Sequence, residues 1–146
     1  MDTKKQKLRP SLELIKITPN PERVKSILHM ANLLEERITL QDKEKMAALV
    51  TVDYYEIIKE LLTAILLLEG YKTLSHKDLF EYMHEKSAEM FDQQEKFLLN
   101  ELRILRNRVS YEGFKIQPSY LERNQSKLKE IIQRIKQEII KKLEKK

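Results

Sequence analysis

The chain has 146 residues, of which 41% are hydrophobic and 35% charged, with a formal net charge of +5. This length fits a single domain with one modest core, and the composition excludes a disordered chain. Cysteine is absent, which excludes disulfides and thiolate metal sites, and only two glycines and four prolines occur, which favours long helices over a many-turned β fold.

The first predicted element is an N-terminal arm, residues 1–19, with a short extended piece around residues 12–17. Asn20 and Pro21 then begin a helix, because Asn is a favoured N-cap and Pro is favoured at the first helical position. Apolar residues follow at helical intervals and predict the buried face of this helix: Val24, Ile27, Leu28, Ala31, Leu34 and Ile38.

Capping residues and glycines delimit the middle of the chain. A second helix is predicted from Asp42, its N-cap, to the residue before Gly70. Ser75 and Asp78 form a variant of the capping box and begin a short helix that ends near Met83.

The second half of the chain contains two more long helices. One covers residues 88–112 and ends at Gly113, and residues 114–123, which include Pro118, are predicted to be a loop. The last helix runs from Asn124 to the C-terminus with one apolar stripe: Leu128, Ile132, Ile135, Ile139 and Leu143. Four long helices and one short helix predict an all-α, up-and-down helical bundle, with residues 20–146 as a single domain.

Positive charge is concentrated at the C-terminus. Residues 123–146 contain nine Lys or Arg against three Glu, so this helix could bind nucleic acid or could present a solvated lysine-rich face. No segment reads as a signal peptide, and the most apolar stretch, residues 57–68, is too short to span a bilayer. We therefore expect a cytoplasmic protein with no membrane partner.

The segment from Glu101 to Gly113 carries the candidate chemistry. At 100° per residue its leucines and Val109 face the core, and the following residues gather on the opposite side within a sector of about 140°: Arg103, Arg106, Asn107, Ser110 and Tyr111. Guanidinium groups bind phosphate through a planar fork, and a tyrosine ring can stack on a base. Taken alone, such a face is more often solvated surface.

The residues Arg106-Asn107-Arg108-Val109-Ser110-Tyr111 resemble the signature of the HEPN family, helical bundles in which Arg, often followed by Asn, precedes a His near the end of the third long helix. Two further segments are similar to the family, residues 53–58 (Asp-Tyr-Tyr-Glu-Ile-Ile) and residues 70–79 (Gly-Tyr-Lys-Thr-Leu-Ser-His-Lys-Asp-Leu). In element order and length the resemblance covers about residues 21–141. It implies a HEPN-like bundle.

The resemblance also implies an activity and partners. In family members that are metal-independent endoribonucleases, Arg and His from two protomers face each other across a homodimer cleft, and no cofactor is required. It assigns Arg106, Asn107 and Tyr111 to the catalytic positions. Arg103 and Ser110, which share the same helix face, are the expected RNA-binding residues. Family members commonly act as toxins beside a minimal nucleotidyltransferase, so a partner of that kind is implied as well.

Tyr111 stands where the family has His, which changes the expected chemistry. A neutral imidazole exchanges protons near pH 7 and a phenol does so poorly. The three histidines, His29, His76 and His84, lie on other helices, and nothing in the spacing brings one to Tyr111. We therefore expect binding of RNA or a nucleotide to persist and cleavage to be lost or weak.

Two questions stay open from the sequence. The family often places an acidic residue near the motif Arg, which makes Asp53 or Glu60 on the second helix the expected partner of Arg106; no metal site is expected. The alternative to RNA binding is a non-catalytic helical dimerisation or protein-interaction module, in which the Arg106 face is a docking surface.

Overall fold

The computed structural model describes residues 14–86 and 89–145. Its elements, in chain order, are β1 (Ile15–Lys16), α1 (Pro21–Thr39), α2 (Ala47–Leu68), β2 (Tyr71–Lys72), α3 (His76–Lys86), α4 (Gln93–Glu112) and α5 (Pro118–Glu144). The described chain is an all-α helical bundle with a minimal two-stranded sheet, which confirms the predicted fold class.

Helix α2 is the centre of the bundle. It contacts α1, α3, α4 and α5, and its sequence is apolar on nearly every side, as expected for a helix surrounded by others. Helix α5 packs on it with the predicted stripe, in which Leu128, Ile132, Ile135 and Ile139 are fully buried. Burial of each such side chain contributes roughly 1.5–3 kcal/mol.

Several predicted helix ends are confirmed. The Asn20 side chain accepts a hydrogen bond from the Arg23 N–H at 3.1 Å, so α1 begins as expected. The Ser75 hydroxyl accepts one from the Asp78 N–H at 3.2 Å at the start of α3. Gly113 ends α4 in the left-handed conformation, with φ of 64°, which glycine adopts without steric cost.

Three predicted helix starts were wrong. Asp42 caps a turn rather than α2: its carboxylate accepts the Glu44 N–H at 2.9 Å, and the helix begins at Ala47. Helix α4 begins at Gln93 instead of residue 88, because Asp92 and Glu95 form a capping box there. Helix α5 begins at Pro118, so most of the predicted 114–123 loop is helical; the proline occupies the first helical turn, where its missing N–H is not needed.

The segment before α1 is attached to the bundle. Ile15 and Lys16 pair antiparallel with Lys72 and Tyr71, and the Ile17 N–H donates to the Gly70 carbonyl at 2.8 Å. This is the predicted extended piece, given a partner strand that the sequence did not reveal. The arm's residues 1–13 lie outside the described part of the chain. Within that part, no helix is both long and apolar enough to cross a bilayer.

Candidate functional site

Arg106 lies on the side of α4 that covers α2. Its guanidinium carbon is 5.5 Å from the centroid of the Tyr55 ring and 6.0 Å from that of the Tyr111 ring. Its side chain is 20% exposed, whereas Tyr111 is 77% exposed and stands at the surface. The position follows from helix periodicity, since Leu99 and Leu102, seven and four positions before Arg106 and so on the same side of α4, are buried in the core.

The carboxylate that pairs with Arg106 is Glu56, with its Oε2 3.3 Å from the Arg106 Nη2. The expected partners, Asp53 and Glu60, were wrong. Asp53 accepts two hydrogen bonds from Arg37 and one from Gln41, and Glu60 pairs with Lys59 at 3.1 Å. All three acidic residues share one face of α2, and which of them meets α4 depends on where the two helices cross.

The Arg106 guanidinium keeps unused donors. Its Nη1 donates to the Asn107 Oδ1 at 3.3 Å, and its Nε is buried without a hydrogen-bond partner among the described residues. A guanidinium carries five N–H donors, so the contacts with Glu56 and Asn107 fix the group and leave N–H bonds for a ligand.

A histidine also lies beside the Tyr55 ring. His76, the first residue of α3, has its Nδ1 2.9 Å from the Tyr55 hydroxyl. The Tyr55 ring also stacks on that of Phe80, another residue of α3, with centroids 5.7 Å apart. His76 and Arg106 therefore flank one buried ring. The contact is with Tyr55 and not with Tyr111, for which no histidine was expected. The Ser75 cap placed His76 at a helix start, but the crossing of α3 over α2 is not visible in sequence spacing.

The protonation of this pair follows from its surroundings. Burial raises the pKa of the Tyr55 phenol to about 12, so the phenol stays protonated. We assign it as the donor to the His76 Nδ1, because a phenol O–H is a stronger donor than the N–H of a neutral imidazole. Burial also lowers the pKa of His76, and the charges of Lys59 and Arg106 lower it further. At pH 7 the imidazole is neutral, with its proton on Nε2, and offers an N–H donor.

The other residues predicted for the site are less closely involved. Arg103 donates to the Asn100 Oδ1 at 3.0 Å and influences the pKa of Tyr55. Ser110 is exposed, and its side chain makes no hydrogen bond to the cluster in the described ranges. No group of three or more His, Cys, Asp or Glu side chains in residues 14–86 and 89–145 is placed to hold a metal ion.

The basic C-terminal helix uses part of its charge inside the bundle. Arg134 and Lys127 both pair with Glu95, Lys136 pairs with Glu35, and Lys142 lies 3.6 Å from Glu69. These cations connect α5 to α1, α4 and the end of α2. Arg123 and Lys129 remain exposed on α5, so only part of its positive charge is used in this way.

Comparison of the chain with protein-family models, with curated protein sequences and with solved structures finds no match. A function for the Arg106 face therefore has to be argued from its own contacts, in which Arg106 and His76 flank Tyr55, and from the resemblance of residues 106–111 to the HEPN signature.

Proposed function

We propose that the chain is a HEPN-like, cytoplasmic protein that binds RNA or a nucleotide at the Arg106 face. The observation that carries the proposal is the convergence of Arg106 from α4 and His76 from α3 on the buried ring of Tyr55, beside the exposed ring of Tyr111. A charged fork, a neutral donor and an exposed aromatic ring are the groups that hold a phosphate and an adjacent base.

The local charge is compatible with an anionic ligand. Arg103, Arg106 and Lys59 outnumber the carboxylates Glu56 and Glu60 around the pair formed by Tyr55 and His76. Glu56 is shared, since it accepts from Lys59 at 3.0 Å as well as from Arg106. A phosphate could therefore take over part of the Arg106 fork without leaving Glu56 unpaired.

Metal-independent cleavage is the second candidate function, favoured by a neutral imidazole close to Arg106. Cleavage requires a base to take the proton of the ribose 2′-hydroxyl while its oxygen bonds to phosphorus and the bond to the 5′-oxygen breaks, with water protonating the leaving oxygen. With Tyr55 donating to Nδ1, His76 presents a donor and no free lone pair. We therefore place binding ahead of catalysis.

The resemblance also implies a homodimer and a minimal nucleotidyltransferase partner, and both remain proposals. A groove of about 470 Å³ between α1 and α2 supports the dimer: Ile27, Met30 and Leu34 line it, and Glu56 of the site borders it. A second copy seated there would cover the exposed Met30 and bring two Arg106 faces near each other. If the same face only docked proteins, the chain would be an interaction module.

The proposed function is tested by measuring the binding of the purified protein to a labelled single-stranded RNA, in the presence of a chelator that removes divalent metal ions. We expect the logarithm of the binding constant to fall linearly with the logarithm of the salt concentration, because phosphate contacts release counterions from the RNA. The RNA should remain intact. Absence of binding at low salt, together with a dimeric mass by light scattering, would instead identify an interaction module.

Variants of His76 distinguish its role as a hydrogen-bond donor to RNA from a role as a general base. We expect His76→Ala to weaken RNA binding roughly tenfold or more, because a donor to a charged oxygen is lost. His76→Gln should restore most of the affinity, since its amide can supply an N–H near Nε2. If wild type cleaves RNA and His76→Gln does not, His76 is a base and the tautomer assigned here is wrong.

A further inference from the structure

A second groove lies beside the Arg106 face, between α3 and α4, with a volume of about 370 Å³. Helix α3 contributes Lys77, Phe80, Glu81 and His84, and α4 contributes Gln93, Lys96, Phe97, Asn100 and Arg103. Its lining combines cations, amides and aromatic rings. This combination is unlike the apolar groove between α1 and α2.

The groove has an excess of positive charge. Lys77, Lys96 and Arg103 stand against one carboxylate, Glu81. Arg103 has no carboxylate partner among the residues that the structure describes, and its buried Nε lacks an acceptor there. His84 adds no charge at neutral pH, because burial, together with the charge of Lys96, lowers its pKa. The groove is therefore electrostatically suited to an anionic chain.

Phe97 is the most informative residue of the groove. It is 71% exposed, although a large aromatic side chain gains considerable free energy from burial. Its neighbours in the lining include the amides of Gln93 and Asn100, which can hydrogen-bond the edges of a base. An exposed ring flanked by amides and cations is the arrangement on which single-stranded bases stack.

The groove adjoins the Arg106 face through Phe80, which lines the groove and stacks on the Tyr55 ring with centroids 5.7 Å apart. Positions 93, 96, 100, 103 and 107 follow at steps of three and four and so share one side of the helix. Phe97 and Arg106 lie outside this stripe, nine positions apart, which corresponds to about 14 Å along the axis and to opposite sides of α4. Arg103 lies between them, lining the groove and influencing Tyr55 of the site.

We propose that this groove is a nucleobase subsite for single-stranded RNA, with Phe97 as the stacking platform for a nucleotide several positions along the strand from the one whose phosphate Arg106 holds. The inference rests on the proposed RNA binding and adds a preference for unpaired strands. In a duplex the bases are stacked on each other and cannot reach Phe97. Lys96 and Arg103 then contact the phosphates that join the two positions.

The test compares Phe97→Ala and Phe97→Trp with Leu49→Ala, an equally apolar truncation at a 53% exposed position on α2. We expect Phe97→Ala to weaken binding of a short single-stranded RNA roughly 5- to 150-fold, the range found for loss of base stacking on an aromatic ring. Phe97→Trp should retain or increase affinity, and Leu49→Ala should leave it unchanged. The salt slope of Phe97→Ala should equal that of wild type, because no charge is removed.

A second measurement identifies the stacked base. An RNA with a single abasic position, scanned along the strand, should lose affinity for wild type at one position and lose nothing further for Phe97→Ala. If Arg106→Ala weakens binding and Phe97→Ala does not, the subsite is wrong and RNA binding stands. If wild type binds no RNA, the proposed RNA binding and the subsite are both wrong. Equal affinity of wild type for duplex and single-stranded RNA would overturn the subsite alone.

Discussion

Replacing Arg134 with alanine is expected to destabilise the fold by about 3 kcal/mol, the lower end of the range for breaking a buried pair, because the Glu95 carboxylate is left with its longer ion pair to Lys127, at 3.4 Å. Glu95 is 4% exposed. Its two oxygens accept from the Arg134 Nη1 and Nη2 at 2.7 and 2.9 Å, and the Nη1 also donates to the Met90 carbonyl at 2.7 Å. The pair joins the start of α4 to the middle of α5.

The same pair makes stability depend on pH. The hydrogen bonds from Arg134 lower the pKa of Glu95 to about 2 from 4.5. Burial opposes this shift, and the hydrogen bond from the Asp92 N–H adds to it. A carboxyl with a lowered folded pKa contributes stability above its unfolded pKa and loses it as pH falls through the folded one. The contribution, roughly 3 kcal/mol, should thus be complete above pH 4.5 and decline toward pH 2.

Urea unfolding across this pH range measures both effects. The difference between wild type and Arg134→Ala should be largest near pH 7 and should shrink below pH 4.5, the ordinary value for Glu95. Lys129→Ala, which removes an exposed cation from α5, is the matched control and should have little effect. An Arg134→Ala loss no larger than that of Lys129→Ala would show that the pair contributes nothing net.

The helices themselves were largely predictable because their signals are local. The apolar stripes of α1 and α5, the Asn20 cap and the two glycines each depend on residues within a few positions of one another. The errors at α4 and α5 came from local signals of equal strength that were overlooked, the capping box at Asp92 and the proline at 118.

The site was less predictable because it depends on where helices cross. Arg106, Asn107 and Tyr111 could be placed on one face by periodicity, but the choice of Glu56 over Asp53 and Glu60 depends on the crossing point of α2 and α4. His76 reaches Tyr55 across 21 positions of sequence. Phe97 was also missed, although an aromatic residue among polar residues at the start of α4 was a usable signal.

Replacing Arg106 with alanine is expected to weaken binding of single-stranded RNA roughly 10- to 150-fold, since hydrogen bonds to a charged group contribute about 1.5–3 kcal/mol. The slope of log affinity against log salt should fall by about 1, because one phosphate contact is removed. The fold should survive, as Lys59 remains 3.0 Å from Glu56 and keeps that carboxylate paired. Titration with labelled RNA at several salt concentrations, with circular dichroism for the fold, measures each quantity.

Arg108→Ala is the matched control, because it removes the same side chain from the same helix outside the site. The Arg108 guanidinium carbon lies 3.8 Å from the centroid of the Phe114 ring, and its Nε lies 3.7 Å from Glu112. The side chain therefore makes its contacts at the C-terminal end of α4. If the two variants lose affinity equally, binding follows net charge and no site exists at Arg106. If only Arg106→Ala loses affinity, the loss reflects position, because net charge changes identically in both variants.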